Sequence, residues 1–593
     1  MNILILALFI CFSAHARLIT KPEAKSVLTN LQIKVYVKVD GSYSVDKTYD
    51  FEVINAKALN LSDFQIPYNS KTTKMKLLEG TVETGGLKTS ILPKDATTEG
   101  TTAVAAFDPL TSFKIKLPAL ADGSKLHLKI RQEFEKALVS GLYSQDFNFI
   151  TESPFIEKGS LLVVSEIPLK FKVRDPEQTL KVEHLKKKFE ELKVTLVKPI
   201  VSGLKEEQQS ITAPENAVSV SVATVENWNL IKRFYSSFFE LVMNSTLPPE
   251  VNALIKSVEA KRDIKDRLKI IGHHIHTNFS YAENMRTLNG RPHVRMFNEL
   301  YLSKMADDKE MAALTVLVLK KLGHKADIAL VTRGNRTHFQ GLPDPAMFNR
   351  ALVRIEEEGE FYWIDPVEKL SMGLNHPIEF SGRPSLSLGV GEGLDIIPFE
   401  NPDESRFESQ LIISQSAEGF DVKKDVQYSG RAHYEILKIQ NPKDLEEVLT
   451  QDLTDSQAKD FKLSPLINGK SSAAYHLTEL SPLKNLSVYF EDIIIVTPEW
   501  VGELYLGGPK EFKETSTYKL MVAPETKFVC SVKSDWIDVL RRSVIQKSSF
   551  MVYDSVSIKK AHISPAELKS RAFLALQNQL KECAKVDKIT LKK

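Results

Sequence analysis

The chain has 593 residues, and a single hydrophobic core usually supports a shorter chain than this. Several domains are therefore expected. Its hydrophobic content of 42% and charged content of 26% are typical of globular proteins. The 78 basic and 76 acidic residues leave a formal net charge of +2, which argues against nucleic acid as a partner.

The first sixteen residues, MNILILALFICFSAHA, have the pattern of a secretory signal peptide. An apolar stretch over residues 3–12 is followed by the tripeptide AHA, and small residues before a cleavage position are typical of such signals. The pattern predicts cleavage before Arg17 and export to the periplasm or the extracellular space. No later apolar run reaches the roughly 20 residues that a membrane-spanning helix needs, so no integral membrane segment is expected after cleavage.

The first third of the chain has the patterns of β-strands. Residues 31–53, LQIKVYVKVDGSYSVDKTYDFEV, alternate apolar and polar side chains around an Asp40-Gly41 turn, which is typical of a β-hairpin. Stretches such as FKIKLPAL and GSLLVVSEIPLKFKV continue this character. We predict that residues 17–224 form an N-terminal domain with an antiparallel β-sandwich fold.

After the polar stretch KEEQQSITAPEN, the pattern becomes helical at NWNLIKRFYSSFFELVM. Further helical segments follow, and then the short strand-like stretches ADIALVT, RALVRI and EFYWIDPV. Helices followed by antiparallel strands predict an α+β core at residues 225–389. Strand patterns return in residues 390–593, which are predicted to form a C-terminal β-rich domain with a late helix. The predicted fold class is therefore an α+β multidomain protein.

Cysteines are few, and cleavage of the signal peptide would remove Cys11 and leave Cys530 and Cys583. Cys530 lies on the apolar face of the predicted strand in KFVCSVKSDW, and Cys583 continues the apolar stripe of the predicted helix in SPAELKSRAFLALQNQLKEC. Two inward-facing cysteines in an oxidising compartment could form a disulfide, although two buried thiols that pack as small apolar groups fit equally well. Neither has a neighbouring histidine in the sequence, so a catalytic thiol is the least favoured interpretation.

The segment MADDKEMAALTVLVLKKLGHKA, residues 305–326, predicts a helix that is buried on most sides. Apolar residues dominate from Met311 to Leu319, and a glycine shortly afterwards is a typical stop. Acidic residues precede Lys309, where carboxylates are favoured by the exposed N–H groups and the positive end of the helix dipole. Several enzyme classes place a reactive cysteine in this setting, because the same field lowers the pKa of a thiol. Here the position holds Asp308.

The middle of the chain resembles the transglutaminase-like core, a papain-like arrangement. In that core a cysteine opens a buried helix, a histidine lies on a following strand, and an aspartate on the next strand orients the histidine. The whole sequence is similar to exported bacterial proteins in which β domains of unknown function flank this core. The resemblance rests on stretches such as IPYNSKTTKMKLLEG, SGLYSQDFNFITESP, HTNFSY, LPDPAMFNRALV, YWIDPV and ISPAELKSRAFLALQNQLKE. It also implies that Trp228, Tyr281 and Trp363 pack in the core.

The resemblance assigns three positions to a catalytic triad, two of which are substituted. The family's Gly-Asp-Cys-Lys-Asp-like motif matches ADDKE, which puts Asp308 where the cysteine is expected. The Phe-Asn-His-Ala pattern matches FNRA, which puts Arg350 where the histidine is expected. The third position matches the aspartate of WIDP, so Asp365 is retained.

These substitutions imply a site without acyl-transfer chemistry. A carboxylate is a poor nucleophile towards an amide, and Arg350 stays protonated where the reaction needs a group that cycles near neutral pH. Losing either the nucleophile or the histidine costs on the order of 10⁶ in kcat in subtilisin. We therefore expect a pseudoenzyme whose triad positions survive as an ion-pair cluster of Asp308, Arg350 and Asp365. Its partner would be a protein, a peptide or a glycan of the cell envelope.

The alternative is a cysteine-independent hydrolase or acyltransferase that uses the same cleft. His338 lies in a predicted loop before Arg350 and is the candidate for a recruited base, although a solvated loop histidine is the simpler interpretation. His273, His274 and His276 look like metal ligands, but they end a predicted helix and have no cysteine or carboxylate at ligand spacing. We therefore predict neither a metal site nor a cofactor.

Overall fold

A computed structural model gives the fold of the chain. The predicted signal peptide and Cys11 lie outside the residues that it describes. Among the described residues, no helix is long and apolar enough to cross a membrane. The described residues are 17–18, 20–59, 61–100, 108, 111–149, 155–175, 178–201, 204–205, 218–282, 287–288, 291–333, 341–373, 380–389, 391, 393–399, 405–430, 459–464, 470–478, 490–494, 496, 504–506, 510–521, 527–546 and 549–585.

The N-terminal region is built almost entirely from strands. Its largest sheet has ten strands, with the order β14-β15-β12-β2-β3-β9-β5-β6 and with β11 and β16 attached beside β2. The elements are β1 (Arg17–Leu18), β2 (Ser26–Val37), β3 (Tyr43–Val53), α1 (Ala56–Leu59), β4 (Asp63–Tyr68), β5 (Thr73–Thr84), β6 (Leu87–Ser90), β7 (Ala96–Gly100), β8 (Thr111–Lys116), β9 (Lys125–Phe134), β10 (Ser144–Asn148), β11 (Phe155–Ile156), β12 (Gly159–Ser165), β13 (Lys170–Arg174), β14 (Leu180–Lys186), β15 (Glu190–Leu196), β16 (Ile200–Val201), β17 (Leu204–Lys205) and β18 (Ser219–Ala223).

Two three-stranded sheets, β10-β18-β13 and β4-β8-β7, pack against the ten-stranded sheet and enclose two apolar clusters. Tyr49 and Phe51 on β3 border both clusters, so the two small sheets share one face of the large one. Two pairings, those of β11 and β12 with β2, differ from the antiparallel sandwich that the sequence predicts. β12 pairs with β2 in parallel, because the chain returns to the large sheet beside β2 only after it has formed strands of the second layer.

The middle region places five helices against a five-stranded antiparallel sheet, with the order β25-β24-β23-β26-β27. Helix α6 lies at the centre, and its side chains from Asp308 to Leu319 are buried. The elements are α2 (Asn229–Met243), α3 (Pro249–Glu259), α4 (Ile264–Asn278), β19 (Ser280–Tyr281), β20 (Thr287–Leu288), β21 (Arg291–Pro292), α5 (Phe297–Ser303), β22 (Met305–Ala306), α6 (Asp308–Lys321), β23 (Lys325–Val331), β24 (Arg350–Glu357), β25 (Glu360–Ile364), β26 (Pro384–Ser387) and β27 (Asp395–Ile396).

The C-terminal region is dominated by an eight-stranded sheet, with the order β30-β31-β29-β28-β33-β36-β35-β34. Phe573 and Leu576 of the last helix, α9, pack with Trp536 and Val539 beside this sheet. The elements are β28 (Arg406–Gln415), β29 (Phe420–Tyr428), β30 (Lys459–Leu463), β31 (Lys470–Leu477), α7 (Glu491–Ile494), β32 (Leu504–Tyr505), β33 (Lys510–Lys519), β34 (Val529–Lys533), β35 (Ile537–Gln546), β36 (Ser549–Ile558), β37 (His562–Ile563), α8 (Pro565–Leu568) and α9 (Arg571–Ala584).

The predicted fold class, an α+β multidomain protein with a central α+β core, is wrong. The described part of the chain is β-rich, with 47% strand and 23% helix, and sheets run through all three regions, so a separate central α+β core is not evident. The strong 3.6-residue period of the helices made the middle region look more helical than the chain as a whole. Many of the strands are two residues long and carry no alternating pattern that a sequence could reveal.

The predicted domain limits of 17–224, 225–389 and 390–593 stay predictions. The first limit falls between β18 and α2. The second falls between β26 and β27, although Ser385 on β26 pairs with Asp395 on β27. Ile397 packs with Phe380 on the face of the middle sheet opposite the helices. Side chains just beyond residue 390 thus contribute to the middle sheet.

The N-terminal and middle regions share specific hydrogen bonds. The backbone N–H of Leu342 donates to Ser221 Oγ on β18 at 2.8 Å, and the backbone N–H of Asp108 donates to the carbonyl of Thr287 on β20 at 2.8 Å. Leu142 of the N-terminal region is buried in the apolar cluster around α6. The N-terminal β region therefore supports the segment that leads into β24.

Gly272 allows helix α4 to approach the turn around Ser371 and Met372. A Cβ atom at Gly272 would lie 2.8 Å from both Cβ and Cγ of the buried Met372. We predict that Gly272→Ala destabilises the protein, because the strain of overpacking, typically about 1–3 kcal/mol, exceeds the gain of roughly 1 kcal/mol in helix propensity. Thermal unfolding measures the effect, with His273→Ala at the neighbouring exposed position as the control. Equal melting temperatures for the two variants would contradict the prediction.

Candidate functional site

Helix α6 begins in a buried capping box. Asp307 precedes the helix, and its carboxylate accepts the backbone N–H of Glu310 at 3.0 Å. The carboxylate of Glu310 accepts the backbone N–H of Asp307 at 3.0 Å. This reciprocal pattern satisfies N–H groups that the start of a helix otherwise leaves unpaired. Residues 307–310 are all 0% exposed, so four consecutive ionisable side chains are withdrawn from water.

Two buried cations neutralise the capping carboxylates. Arg295, which precedes α5, donates from Nε and Nη2 to the two carboxylate oxygens of Glu310 at 2.7 and 2.8 Å. Such a bidentate pair fixes the guanidinium in one plane. Arg295 also donates to the carbonyl of Met305 at 2.7 Å, which ties the segment before α5 to the strand that enters α6. Lys309 forms the second buried ion pair, with Asp307.

Arg350, the first residue of β24, forms a third buried ion pair with Asp365. Its Nε and Nη2 donate to Asp365 Oδ2 at 2.9 and 2.6 Å. Its Nη1 donates to the hydroxyl of Tyr281 on β19. The other carboxylate oxygen of Asp365 accepts the backbone N–H of Val367 at 3.0 Å. The two positions that the resemblance assigns to the histidine and its orienting aspartate are therefore in direct contact.

Asp308 lies beside this pair but is held by the backbone. Its Oδ2 accepts the backbone N–H of Ala351 at 2.7 Å, and its Oδ1 is buried and has no hydrogen-bond partner among the described residues. Within the described part of the chain, Asp308 forms no ion pair with Arg350, which differs from the cluster that the sequence suggests. The guanidinium turns towards Asp365 and Tyr281, and α6 meets β24 through the backbone of Ala351.

Burial sets the protonation of the carboxylates at this site. Burial raises the pKa of Asp365 to about 6, and the neighbouring charge of Arg350 only partly opposes this effect. Burial also raises the pKa values of Asp307 and Asp308, against the opposing charge of Lys309. Since the low-polarity surroundings disfavour the ionised forms, these carboxyl groups keep their protons up to a higher pH in the folded protein than in the unfolded chain.

The histidines that resemble metal ligands have other contacts. His273 is exposed, the Nε2 of His274 shares a 2.7 Å hydrogen bond with the Tyr301 hydroxyl, and the Nε2 of His276 lies 3.0 Å from the carbonyl oxygen of Pro366. Burial lowers the pKa values of His274 and His276. No group of three metal-binding side chains occurs among the residues that the structure describes. His338 lies outside those residues.

Sequence reasoning assigned Tyr281 only a packing role and missed Arg295 altogether. Trp228 and Trp363 are buried, in line with the packing role that the resemblance implies. Tyr281 is only partly buried and accepts a hydrogen bond from Arg350. The Asp-x-x-Glu spacing of Asp307 and Glu310 predicts a capping box. It does not show that Glu310 also has a cationic partner, so it does not point to Arg295.

A disulfide joins Cys530 on β34 to Cys583 near the end of α9. The two Cα atoms are 5.6 Å apart, which is a common separation for bonded cysteines. Cys583 is buried beside Leu580 in the same apolar cluster that holds Trp536. The bond therefore attaches the last described helix to an edge strand of the eight-stranded sheet.

Comparisons with known proteins give a domain and a fold. Residues 39–200 match the model of DUF3857, a domain of unknown function with a solved structure. A crystal structure of a "putative protease" from Parabacteroides distasonis has a TM-score of 0.63 and 12% identity, over 94% of this chain and 97% of that one. An M1 zinc metallopeptidase from Deinococcus radiodurans has a TM-score of 0.19 and 10% identity, over 34% of this chain and 42% of that one. No curated protein matches the sequence. The chain thus contains a DUF3857 domain and shares the fold of the Parabacteroides protein.

We predict that Arg350→Ala strongly lowers the stability of the middle region. The change leaves Asp365 buried without its cation, which costs roughly 3–5 kcal/mol when one partner of a buried pair is removed. Scanning calorimetry measures the effect. Lys325→Ala is the matched control, because Lys325 lies on the same sheet and pairs with Glu356 at 2.7 Å at the surface. Similar thermograms for the two variants would show that the buried pair is not structural.

We predict that reduction of the disulfide releases α9 from the sheet. The bond closes a loop with a sequence separation of 53 residues, for which chain entropy predicts a contribution of roughly 4 kcal/mol. Urea unfolding of the oxidised and the reduced wild-type protein, monitored by the intrinsic tryptophan fluorescence to which Trp536 contributes, measures the effect and leaves both sulfur atoms in place. Coincident unfolding curves would contradict the prediction.

Proposed function

We propose that this protein is a non-catalytic, exported protein with a degenerate transglutaminase-like site, and that it serves as a binding or scaffold module. The observation that carries the proposal is the state of Arg350. The guanidinium stands where the resemblance expects a histidine, is 1% exposed, and is held by Asp365 and Tyr281. A group that is permanently protonated and fixed on two sides cannot shuttle a proton to or from a substrate.

The nucleophile position supports the same conclusion. Asp308 is 0% exposed and receives the backbone N–H of Ala351. A buried carboxylate cannot reach a substrate carbonyl, and it is a weak nucleophile towards amides even when it is accessible. The three former reaction positions thus serve to join α6, β24 and the segment after β25.

Two further features support the proposed location and role. The N-terminal pattern of residues 1–16 favours export, and the disulfide between Cys530 and Cys583 suits an oxidising compartment. Large β-sheets precede and follow the helical segments along the chain, and a protein, peptide or glycan of the cell envelope would bind to their exposed faces. The near-neutral net charge of +2 does not favour nucleic acid.

The alternative is a hydrolase or acyltransferase that works without cysteine. Its support is the likeness in fold to the protein described as a "putative protease" and the presence of carboxylates with raised pKa values at the start of α6. Such carboxylates often mark catalytic sites, but burial within a structural ion-pair network perturbs pKa values as well. The complete burial of Asp307 and Asp308 makes the structural explanation the stronger one.

We expect the purified protein to show no turnover. The assay uses amine donors with glutamine-containing peptides, and then peptide and ester substrates, with an active transglutaminase as the positive control. Asp308→Asn should behave as the wild type does, because no step depends on this carboxylate. Turnover by the wild type that Asp308→Asn abolishes would overturn the proposal in favour of the alternative.

A binding role also predicts a partner. An affinity pull-down from the native cell envelope should retain the same partner with the wild type and with Asp308→Asn, since binding needs no reactive group at residue 308. Retention that is stronger for the wild type and is released by added peptide substrate would instead indicate an enzyme–substrate complex.

A further inference from the structure

Four carboxylates and three cations are buried together where α6 meets β24. The carboxylates belong to Asp307, Asp308, Glu310 and Asp365, and the cations to Arg295, Lys309 and Arg350. If every group were ionised, the cluster would carry one negative charge in excess. An uncompensated charge in the protein interior is far more costly than a neutral polar group, so the cluster favours the uptake of one proton.

The ion pairs identify where this proton resides. Arg295 holds Glu310 in a bidentate pair, Lys309 pairs with Asp307, and Arg350 holds Asp365. Each cation is matched to one carboxylate, and Asp308 is the carboxylate without an ion pair among the described residues. One of its oxygens accepts a backbone N–H, and the other is buried without a partner.

Among the residues that the structure describes, the elements around Asp308 supply no further cation at hydrogen-bonding distance. The charged neighbours on its own helix are Lys309 and Glu310, Asp307 directly precedes the helix, and β24 contributes Arg350. The other packed elements contribute titratable groups that lie nearer to the remaining ion pairs: Tyr281 on β19, His293 and Arg295 before α5, and Asp365 and Glu368 after β25. The charges of Lys309 and Arg350 reach Asp308 only through space, and burial outweighs them in raising its pKa.

We propose that Asp308 is the proton-binding residue of this cluster and remains a neutral carboxylic acid in the folded protein at neutral pH. The position where the resemblance expects the cysteine then carries an uncharged side chain, just as a protonated cysteine is uncharged. This inference rests on the proposed function, in which Asp308 has a structural role. A carboxylate that attacks a substrate would have to ionise, whereas a structural carboxyl group can remain protonated.

The proposal predicts how stability depends on pH. A carboxyl group that ionises near pH 4 in the unfolded chain but stays protonated in the folded state stabilises the fold fully below that pH. As the pH rises from that value towards the pKa of the folded state, the stabilisation decreases, because opening releases one proton per molecule. The opening constant therefore rises tenfold per pH unit. Asp307 and Asp365, with their pKa values raised to about 7 and about 6, add to this trend up to those pH values. His274, His276 and His293 have lowered pKa values and act in the opposite direction.

Comparison with Asp308→Asn isolates the contribution of this residue. The amide has the shape of the neutral acid, can accept the N–H of Ala351, and cannot ionise. The readout is hydrogen exchange of peptides from residues 308–321 of the full-length protein between pH 5 and 9, converted to opening constants. We expect the variant to open no more than about threefold more readily than the wild type at pH 7, and to lack part of the rise with pH.

Asp307→Asn is the matched control, since it also neutralises a buried carboxylate at the same helix end. It deprives Lys309 of its partner and should raise the opening constant at every pH, at least tenfold. The proposal is overturned if Asp308→Asn opens tenfold or more above the wild type at pH 7 and keeps the wild-type pH slope, because Asp308 would then be ionised.

Should Asp308→Asn fail to fold, Asp308→Ser provides a second neutral side chain. Infrared difference spectra between the wild type and this variant should contain the carbonyl band of a protonated carboxylic acid, and a carboxylate band alone would overturn the proposal. The two ideas about this site fail separately. Turnover in the substrate assays contradicts the proposed function, whereas an ionised Asp308 without turnover contradicts only the proton assignment.

Discussion

The buried ion pair between Arg350 and Asp365 is the constraint on which the middle of the molecule depends. It joins the first residue of β24 to the chain just after β25, and through Tyr281 it reaches the strand that follows α4. A buried pair of this kind contributes little net stability compared with apolar groups, but it makes any other arrangement expensive, because each alternative leaves a charge unpaired. The buried ion pair between Arg295 and Glu310 constrains the start of α6 in the same way. Polar contacts thus determine how the helix and the sheet are aligned, while apolar packing supplies most of the stability.

Local sequence patterns predicted the parts of this site that depend on local physics. The acidic residues before Lys309, followed by an apolar run, placed a helix within residues 305–326, and the structure has α6 at Asp308–Lys321. Alternation and helical period likewise predicted that Cys530 and Cys583 face inward, and the structure joins them. The partners of these residues could not be predicted in the same way, since Arg295 meets Glu310 only after α5 has folded back. The resemblance to transglutaminase-like proteins named three positions of the cluster, and the expected pair of Arg350 with Asp365 is present, whereas Asp308 binds the backbone N–H of Ala351 instead of Arg350.

The fold as a whole was harder to predict, for two physical reasons. Strand pairing is non-local, so the parallel contact between β2 and β12 has no sequence signal near either strand. Short strands such as β19 and β22 form because neighbouring segments hold the chain in place, and their own residues carry little β-pattern. Helical period is visible within a few turns, and for that reason the sequence overstated the helical character of a chain that has about twice as much strand as helix.

The contacts between the N-terminal and middle regions limit how this protein can be divided. Leu142 completes the apolar cluster around α6, and Ser221 accepts the backbone N–H of Leu342 a short distance before Arg350. A shortened fragment that starts at α2 would lose both contacts, leaving an apolar hollow and an unsatisfied amide next to the strand that carries the guanidinium. Isolated pieces of the chain would therefore be poor substitutes for the intact molecule in studies of the charged cluster.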